Sequence, residues 1–224
     1  MQNPIFPSKD GFQNLMCSLD EPRKIQDFID FHLEYNYGSM TRSPVGVFET
    51  RNAHCLDGAL FASACLLLHG RRPMLMDLCA ERDEDHVLAL YRRGKYWGAI
   101  AQSKFTGLRF REAIYNSPRE LAMSYFEEYY NYSGQKTLRK FSEPFDICAS
   151  FGTDWVDAEG NLSYIGDALH KVRHYTFLPA GVKMRDLRLV DSLQFQAQAK
   201  GNLPRPFGKS KRIPIWTQIR GKHL

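Results

Sequence analysis

Two residues in this chain have types and settings that suit covalent chemistry. Cys55 stands at the head of a long apolar run, and His86 heads a strand-like run 31 residues later. A thiol in the first turn of a helix feels the positive end of the peptide dipoles, which lowers its pKa and favours the nucleophilic thiolate. An imidazole arriving on a neighbouring strand supplies the base such a thiol needs. Taken singly, each residue has a plainer reading. A cysteine within an apolar helix is most often a small core residue, as Cys65 is read here, and a lone histidine before an apolar strand is most often an edge residue. Cys55 differs from Cys65 because it precedes the apolar block.

The elements that would position this pair follow from periodicity and punctuation. Asp20 caps a helix running to about Tyr35, with Ile25, Phe28, Ile29 and Leu33 on one face. Residues 38–51 carry Gly38, Ser43-Pro44 and Gly46 and read as loop or short strand. Asn52 is a good N-cap for the next helix, which places Ala53, His54 and Cys55 in its first turn. From Gly58 to Leu68 that helix is apolar almost all round, the mark of a buried central helix. Adjacent helical positions point in different directions, so His54 is expected to face away from Cys55. Strand-like runs follow at 73–79, 86–91 and 95–101, the last two joined by a hairpin through Arg92-Arg93-Gly94-Lys95. Ser117-Pro118-Arg119-Glu120 is a capping box opening a helix to about Tyr130. Residues 142–160 read as irregular. Leu162–Tyr175 and Asp186–Ala199 have helical spacing.

The order of these parts resembles the transglutaminase-like branch of the papain-like cysteine protease superfamily. The residues that carry the resemblance are Cys55-Leu-Asp-Gly-Ala-Leu-Phe-Ala, then Leu68-His-Gly-Arg-Arg-Pro-Met, then Asp85-His-Val-Leu-Ala-Leu-Tyr-Arg-Arg-Gly-Lys-Tyr-Trp97. They span roughly residues 45–105. The resemblance implies an α+β, papain-like fold, with the cysteine-bearing central helix packed against a mostly antiparallel sheet. It also implies a cysteine-dependent hydrolase or acyltransferase acting on an amide, either a peptide bond or a glutamine side chain. Cys55 would be the nucleophile and His86 the base, and the backbone N–H of Cys55 one oxyanion donor.

The family's third member, an aspartate on the strand after the hairpin, has no counterpart here. If Arg93-Gly94 is the two-residue turn, antiparallel pairing sets Ala101 opposite His86. The nearest side chain able to orient the ring is then Gln102, with Ser103 a weaker candidate. Asp85 is expected on the opposite sheet face from His86. Loss of an orienting residue lowers the rate of a related triad by about four powers of ten. The competing reading is therefore a catalytically silent, transglutaminase-like binding domain.

The remaining features are plainer. A chain of 224 residues, 43% hydrophobic and 25% charged, has the composition of one globular domain, read as residues 1–200. The five cysteines are odd in number and lack paired spacing, and the histidines are not read as zinc ligands. Free thiols in a reducing, cytoplasmic setting follow, with no cofactor and no metal expected. No apolar run is long enough for a membrane span, so the expected partner is a peptide or protein substrate. Residues 201–224 read as a basic, extended segment. Together with Lys200, the basic residues Arg205, Lys209, Lys211, Arg212, Arg220 and Lys222 follow the last acid, Asp191, and Phe207 and Trp216 are interleaved among them. Such a segment could bind single-stranded nucleic acid. A tail packed over the domain, with Ile213, Ile215 and Trp216 buried, is the favoured reading.

Overall fold

A computed structural model describes residues 11–198, so the basic segment from Gly201 lies outside the described residues. The architecture is α+β. Helices α1 (Phe12–Ser18) and α2 (Pro22–His32) lead into a two-residue strand β1 (Glu34–Tyr35), helix α3 (Pro44–Thr50) and strand β2 (Asn52–Ala53). Helix α4 (Cys55–Leu68) then precedes the hairpin strands β3 (Met74–Ala80), β4 (His86–Arg93) and β5 (Tyr96–Ile100), followed by β6 (Arg111–Tyr115) and α5 (Pro118–Met123). The chain closes with β7 (Leu138–Ser142), β8 (Phe145–Asp146), α6 (Ile147–Phe151), α7 (Ser163–Lys171), β9 (His174–Thr176) and α8 (Ser192–Gln198). The larger sheet has seven strands in the order β6-β5-β4-β3-β7-β9, with β8 also pairing β3, and every pairing in it is antiparallel.

Side chains alternate across this sheet and build a core on each face. Leu75, Val87, Ala89, Tyr91 and Ile100 join the helical cluster around α4. Met76, Leu78, Leu88, Leu90, Ala99 and Ala101 face the other way, against Leu121, Tyr125 and Phe141. Helix α4 is enclosed on every side: each residue from Leu56 to Leu66 is buried. The apolar face expected on α2 is also observed, with Ile25, Phe28, Ile29 and Leu33 all in that first core.

One polar contact ties α2 to the sheet. Gln26, buried on the same helix, donates from Nε2 to the Ala101 carbonyl at 2.9 Å and accepts the Ala101 N–H at 3.0 Å. A side-chain amide thus replaces a neighbouring strand just where β5 ends.

Several boundaries differ from those expected. Helix α2 is shorter than expected and has Glu21, not Asp20, at its N-cap. Residues 44–50 form helix α3, with the Ser43 hydroxyl accepting the Gly46 N–H and Pro44 at the first helical position. Ser43-Pro44 was therefore a helix start rather than a turn. Asn52 pairs with Glu34 in a short parallel ladder and is not an N-cap. The helix opened by Ser117 ends at Met123, and the one opened near Leu162 ends at Lys171, where the chain turns into β9. No helix of the described residues is long and apolar enough to cross a membrane.

Replacing Gln26 with alanine would strand the N–H and C=O of Ala101 away from water, at about 2–4 kcal/mol for the two groups. Urea denaturation of Gln26→Ala should report a loss in that range, and a loss below 0.5 kcal/mol would rule out this anchoring role.

Candidate active site at the N-terminus of helix α4

Cys55 is the first residue of α4, and the N-cap is His54. The His54 ring does not simply face away: its Nδ1 accepts the Leu56 N–H at 3.1 Å and the Asp57 N–H at 3.4 Å. Asp57 reciprocates, accepting the His54 N–H at 3.2 Å and the Arg42 N–H at 2.8 Å. This capping box is fully buried at Asp57 and fixes the helix end that carries Cys55. Burial holds the His54 imidazole below its ordinary pKa, against the opposing pull of Asp57.

The thiol is not the low-pKa group expected from its place in the first turn. Burial pushes Cys55 up to about 11, and the charges of Asp57 and Asp77 push the same way. Main-chain hydrogen bonds from Val87 and Leu56 oppose that rise without cancelling it. The desolvation penalty therefore exceeds the dipole contribution. The contact with Val87 places the sulfur against β4, one residue beyond His86.

His86 opens β4 and is itself buried, with Leu78 as its cross-strand partner. Its Nε2 lies 2.8 Å from the carbonyl oxygen of Leu108. A carbonyl can only accept, so Nε2 carries the proton and Nδ1 keeps its lone pair. Burial holds this imidazole down at about 4, although the Leu108 bond favours the charged form. Among the described residues no hydrogen bond joins the ring to the Cys55 thiol. Cysteine and histidine are both in their neutral forms near pH 7.

The Leu108 carbonyl is held from both sides. On one side Gly107 donates its N–H to Gln198 Oε1 at 2.7 Å and accepts from Arg111 at 2.6 Å. On the other, the Arg109 carbonyl accepts the Tyr125 hydroxyl at 2.8 Å. The loop after β5 thus presents one main-chain oxygen to His86 Nε2. A backbone oxygen has no residue-type signature, so nothing in the sequence could have singled it out.

Gln102, the expected orienter, does not reach His86. The hairpin turn is Gly94-Lys95, with Arg93 opposite Tyr96, so the register is two residues further along than expected. Continued past its last pair, it would set Ser103 across from His86. Gln102 instead packs beneath α4: a Cβ on Gly58 would lie 2.4 Å from the Gln102 Cβ, which requires glycine there. Both polar atoms of the Gln102 amide are buried, with no hydrogen-bond partner among the described residues.

His86 opens onto a pocket of roughly 200 Å³, lined also by Tyr35, Glu84, Ser103, Tyr129 and Phe195. Tyr35 and Tyr129 lie close enough to Cys55 for its charge to raise their hydroxyl pKa values, alongside the larger effect of burial. No protein-family model matches this chain, and a search of curated protein sequences finds no match either.

The buried His86 has a consequence for stability. An unfolded histidine binds its proton near 6.5, the native one only near 4. Stability contributed by the neutral ring is complete above about 6.5 and declines as pH falls towards 4, by on the order of 3 kcal/mol. Thermal melts between pH 7 and 4 should show this decline in the native chain and a flatter profile in His86→Gln. Equal profiles would rule out the assignment.

Proposed function

We propose that this chain is a cysteine-dependent hydrolase or acyltransferase with a papain-like, transglutaminase-like arrangement, acting on an amide of a peptide or protein. The observation that carries this reading is the fixed tautomer of His86. Its Nε2–H is committed to Leu108, so Nδ1 keeps a lone pair able to take a proton, on the residue next to Val87, whose main chain meets the Cys55 sulfur. The α+β architecture supports it too, with a buried helix that begins at cysteine and an antiparallel hairpin that begins at histidine.

In this mechanism Cys55 attacks the amide carbonyl as its thiol proton passes to His86 Nδ1. The C–N bond then breaks, the same proton leaves with the amine, and a thioester remains on Cys55. Water or a second amine attacks the thioester, His86 again carries the proton, and it returns to the sulfur. Because the resting groups are neutral, the base acts during attack and no standing ion pair is needed. The N–H of Cys55 itself, at the head of the helix, offers one oxyanion donor. The unpartnered Gln102 amide, against Gly58 one turn along, offers a second.

A second reading, a silent binding domain of the same fold, is favoured by the raised thiol pKa and the missing thiol–imidazole hydrogen bond. Acylation of Cys55 by an activated ester, read by intact mass, separates the two. Base-assisted acylation should plateau above about pH 4 and fall at least 100-fold in His86→Ala, within the range of general-base effects. Gln102→Leu should lower it about 10–100-fold, on the scale of a lost oxyanion donor or somewhat less. Acylation that rises tenfold per pH unit towards 11, equally in native chain and His86→Ala, would establish the silent domain instead.

A further inference from the structure

A second cluster lies on the α4 side of the sheet, away from the pocket beside His86. Asp77 and Cys79 are alternate residues of β3 and so point to one face. The rung through Asp77 continues across Ser142 of β7 to His174 of β9. Ser142 is small and occupied with main-chain partners, accepting the Asp77 N–H and donating to the Glu143 carbonyl. Its size leaves the space above the rung to the longer side chains on either side.

Three ligand-type atoms converge there. Asp77 Oδ2 is 3.3 Å from Cys79 Sγ and 3.6 Å from His174 Nε2, and the set lies within 4.8 Å overall. A tetrahedral zinc ion with ordinary Zn–O, Zn–N and Zn–S bonds has ligand–ligand edges of roughly 3.3–3.5 Å. The observed spacings need only small adjustment.

The protonation pattern points the same way. His174 Nδ1 lies 2.7 Å from the Val172 carbonyl and must donate to it, which leaves Nε2 facing the Asp77 carboxylate at 3.6 Å. A ring nitrogen facing a buried carboxylate needs a cation between them, and a metal ion in place of a proton would bind both. Among the described residues neither His174 Nε2 nor Asp77 Oδ1 has a hydrogen-bond partner, and the Asp77 side chain is fully buried. A backbone carbonyl on the far ring nitrogen is one of the usual partners that fix a metal-binding histidine. His170, in the last turn of α7, brings its Nδ1 to 2.9 Å from Asp77 Oδ2 and flanks the cluster. Arg139 and Lys140 line the surface pocket beside it.

We propose that Asp77, Cys79 and His174 bind one divalent transition-metal ion of the zinc type, with the fourth position open towards the His170 side. The mixed oxygen, sulfur and nitrogen set suits zinc or cobalt and does not suit magnesium or calcium. On binding, the Cys79 thiol proton, now directed at Asp77, goes to solvent and the thiolate joins the metal. The ion clasps the α7–β9 junction to the central strand β3. Asp77 and Cys79 lie two apart on β3, while His174 comes from β9 far along the chain.

Cobalt(II) titration of the full, reduced, metal-free chain tests this independently of any catalytic role. The expected result is one equivalent bound, with a sulfur-to-cobalt charge-transfer band that zinc abolishes. The band should disappear in Cys79→Ser, weaken at least tenfold in His174→Ala and persist in Cys55→Ser. Should a variant fail to fold, zinc protection of Cys79 from alkylation in the native chain, read by peptide mass spectrometry, gives the same answer. Absence of the band in folded native chain, its survival in folded Cys79→Ser, or alkylation of Cys79 unaffected by zinc would each overturn the proposal.

Discussion

The architecture depends on one constraint: helix α4 has no polar face. A helix apolar all round lowers its free energy only when enclosed on every side. The chain achieves this by layering α1, α2 and α3 on one side of α4 and the sheet face of β3 and β4 on the other. Enclosure leaves the orphan N–H groups of the first turn away from bulk water, so they need partners within the protein. His54 and Asp57 meet that need as N-cap and third helical residue. The close approach of Gln102 to Gly58 completes the enclosure on the side of β5. The position of Cys55 against β4 follows from this packing.

The same enclosure sets the chemistry of the candidate site. Burial raises the Cys55 thiol and lowers the His86 imidazole, so the pair is held in neutral forms with pKa values of about 11 and about 4. An ion pair would have to bring two charges into a poorly solvated space, and the single main-chain acceptor at Leu108 does not repay that penalty. What the surroundings provide is orientation. A neutral imidazole with its proton fixed on Nε2 keeps a lone pair on Nδ1 for the base role proposed above, whether the oxygen that fixes it belongs to a carboxylate or to a peptide bond.

Much of the frame was legible in the sequence because periodicity reports burial directly. Ile25, Phe28, Ile29 and Leu33 marked the face of α2, and the runs at 73–79, 86–91 and 95–101 marked β3, β4 and β5. The body of α4 and the capping serine at 117 were equally clear. Other features depended on geometry that residue types do not encode. Placing the hairpin turn at Arg93-Gly94 instead of Gly94-Lys95 shifted the register by two, which kept the faces right but named Ala101 instead of Ser103 as the residue across from His86. Helix α3 was missed because Ser43-Pro44 signals both turns and helix starts, and only tertiary packing decides between them. The expectation of a depressed Cys55 pKa considered the dipole but not the burial. Leu108 acts through its main chain and was invisible for that reason. His170 and His174 were visible, but their partners Asp77 and Cys79 are distant in sequence and come together only through the β3-β7-β9 rung.

The claim on which the rest of the functional account stands is that a peptide carbonyl fixes the tautomer of His86. Ring nitrogen shifts of 15N-labelled chain, read in long-range proton–nitrogen spectra across a pH series, report that tautomer directly. The account predicts a neutral ring at pH 7, protonated on Nε2 and bare on Nδ1, that accepts its second proton only near pH 4. A ring protonated on Nδ1, a rapidly averaging pair of tautomers, or a titration near the ordinary value of about 6.5 would contradict it.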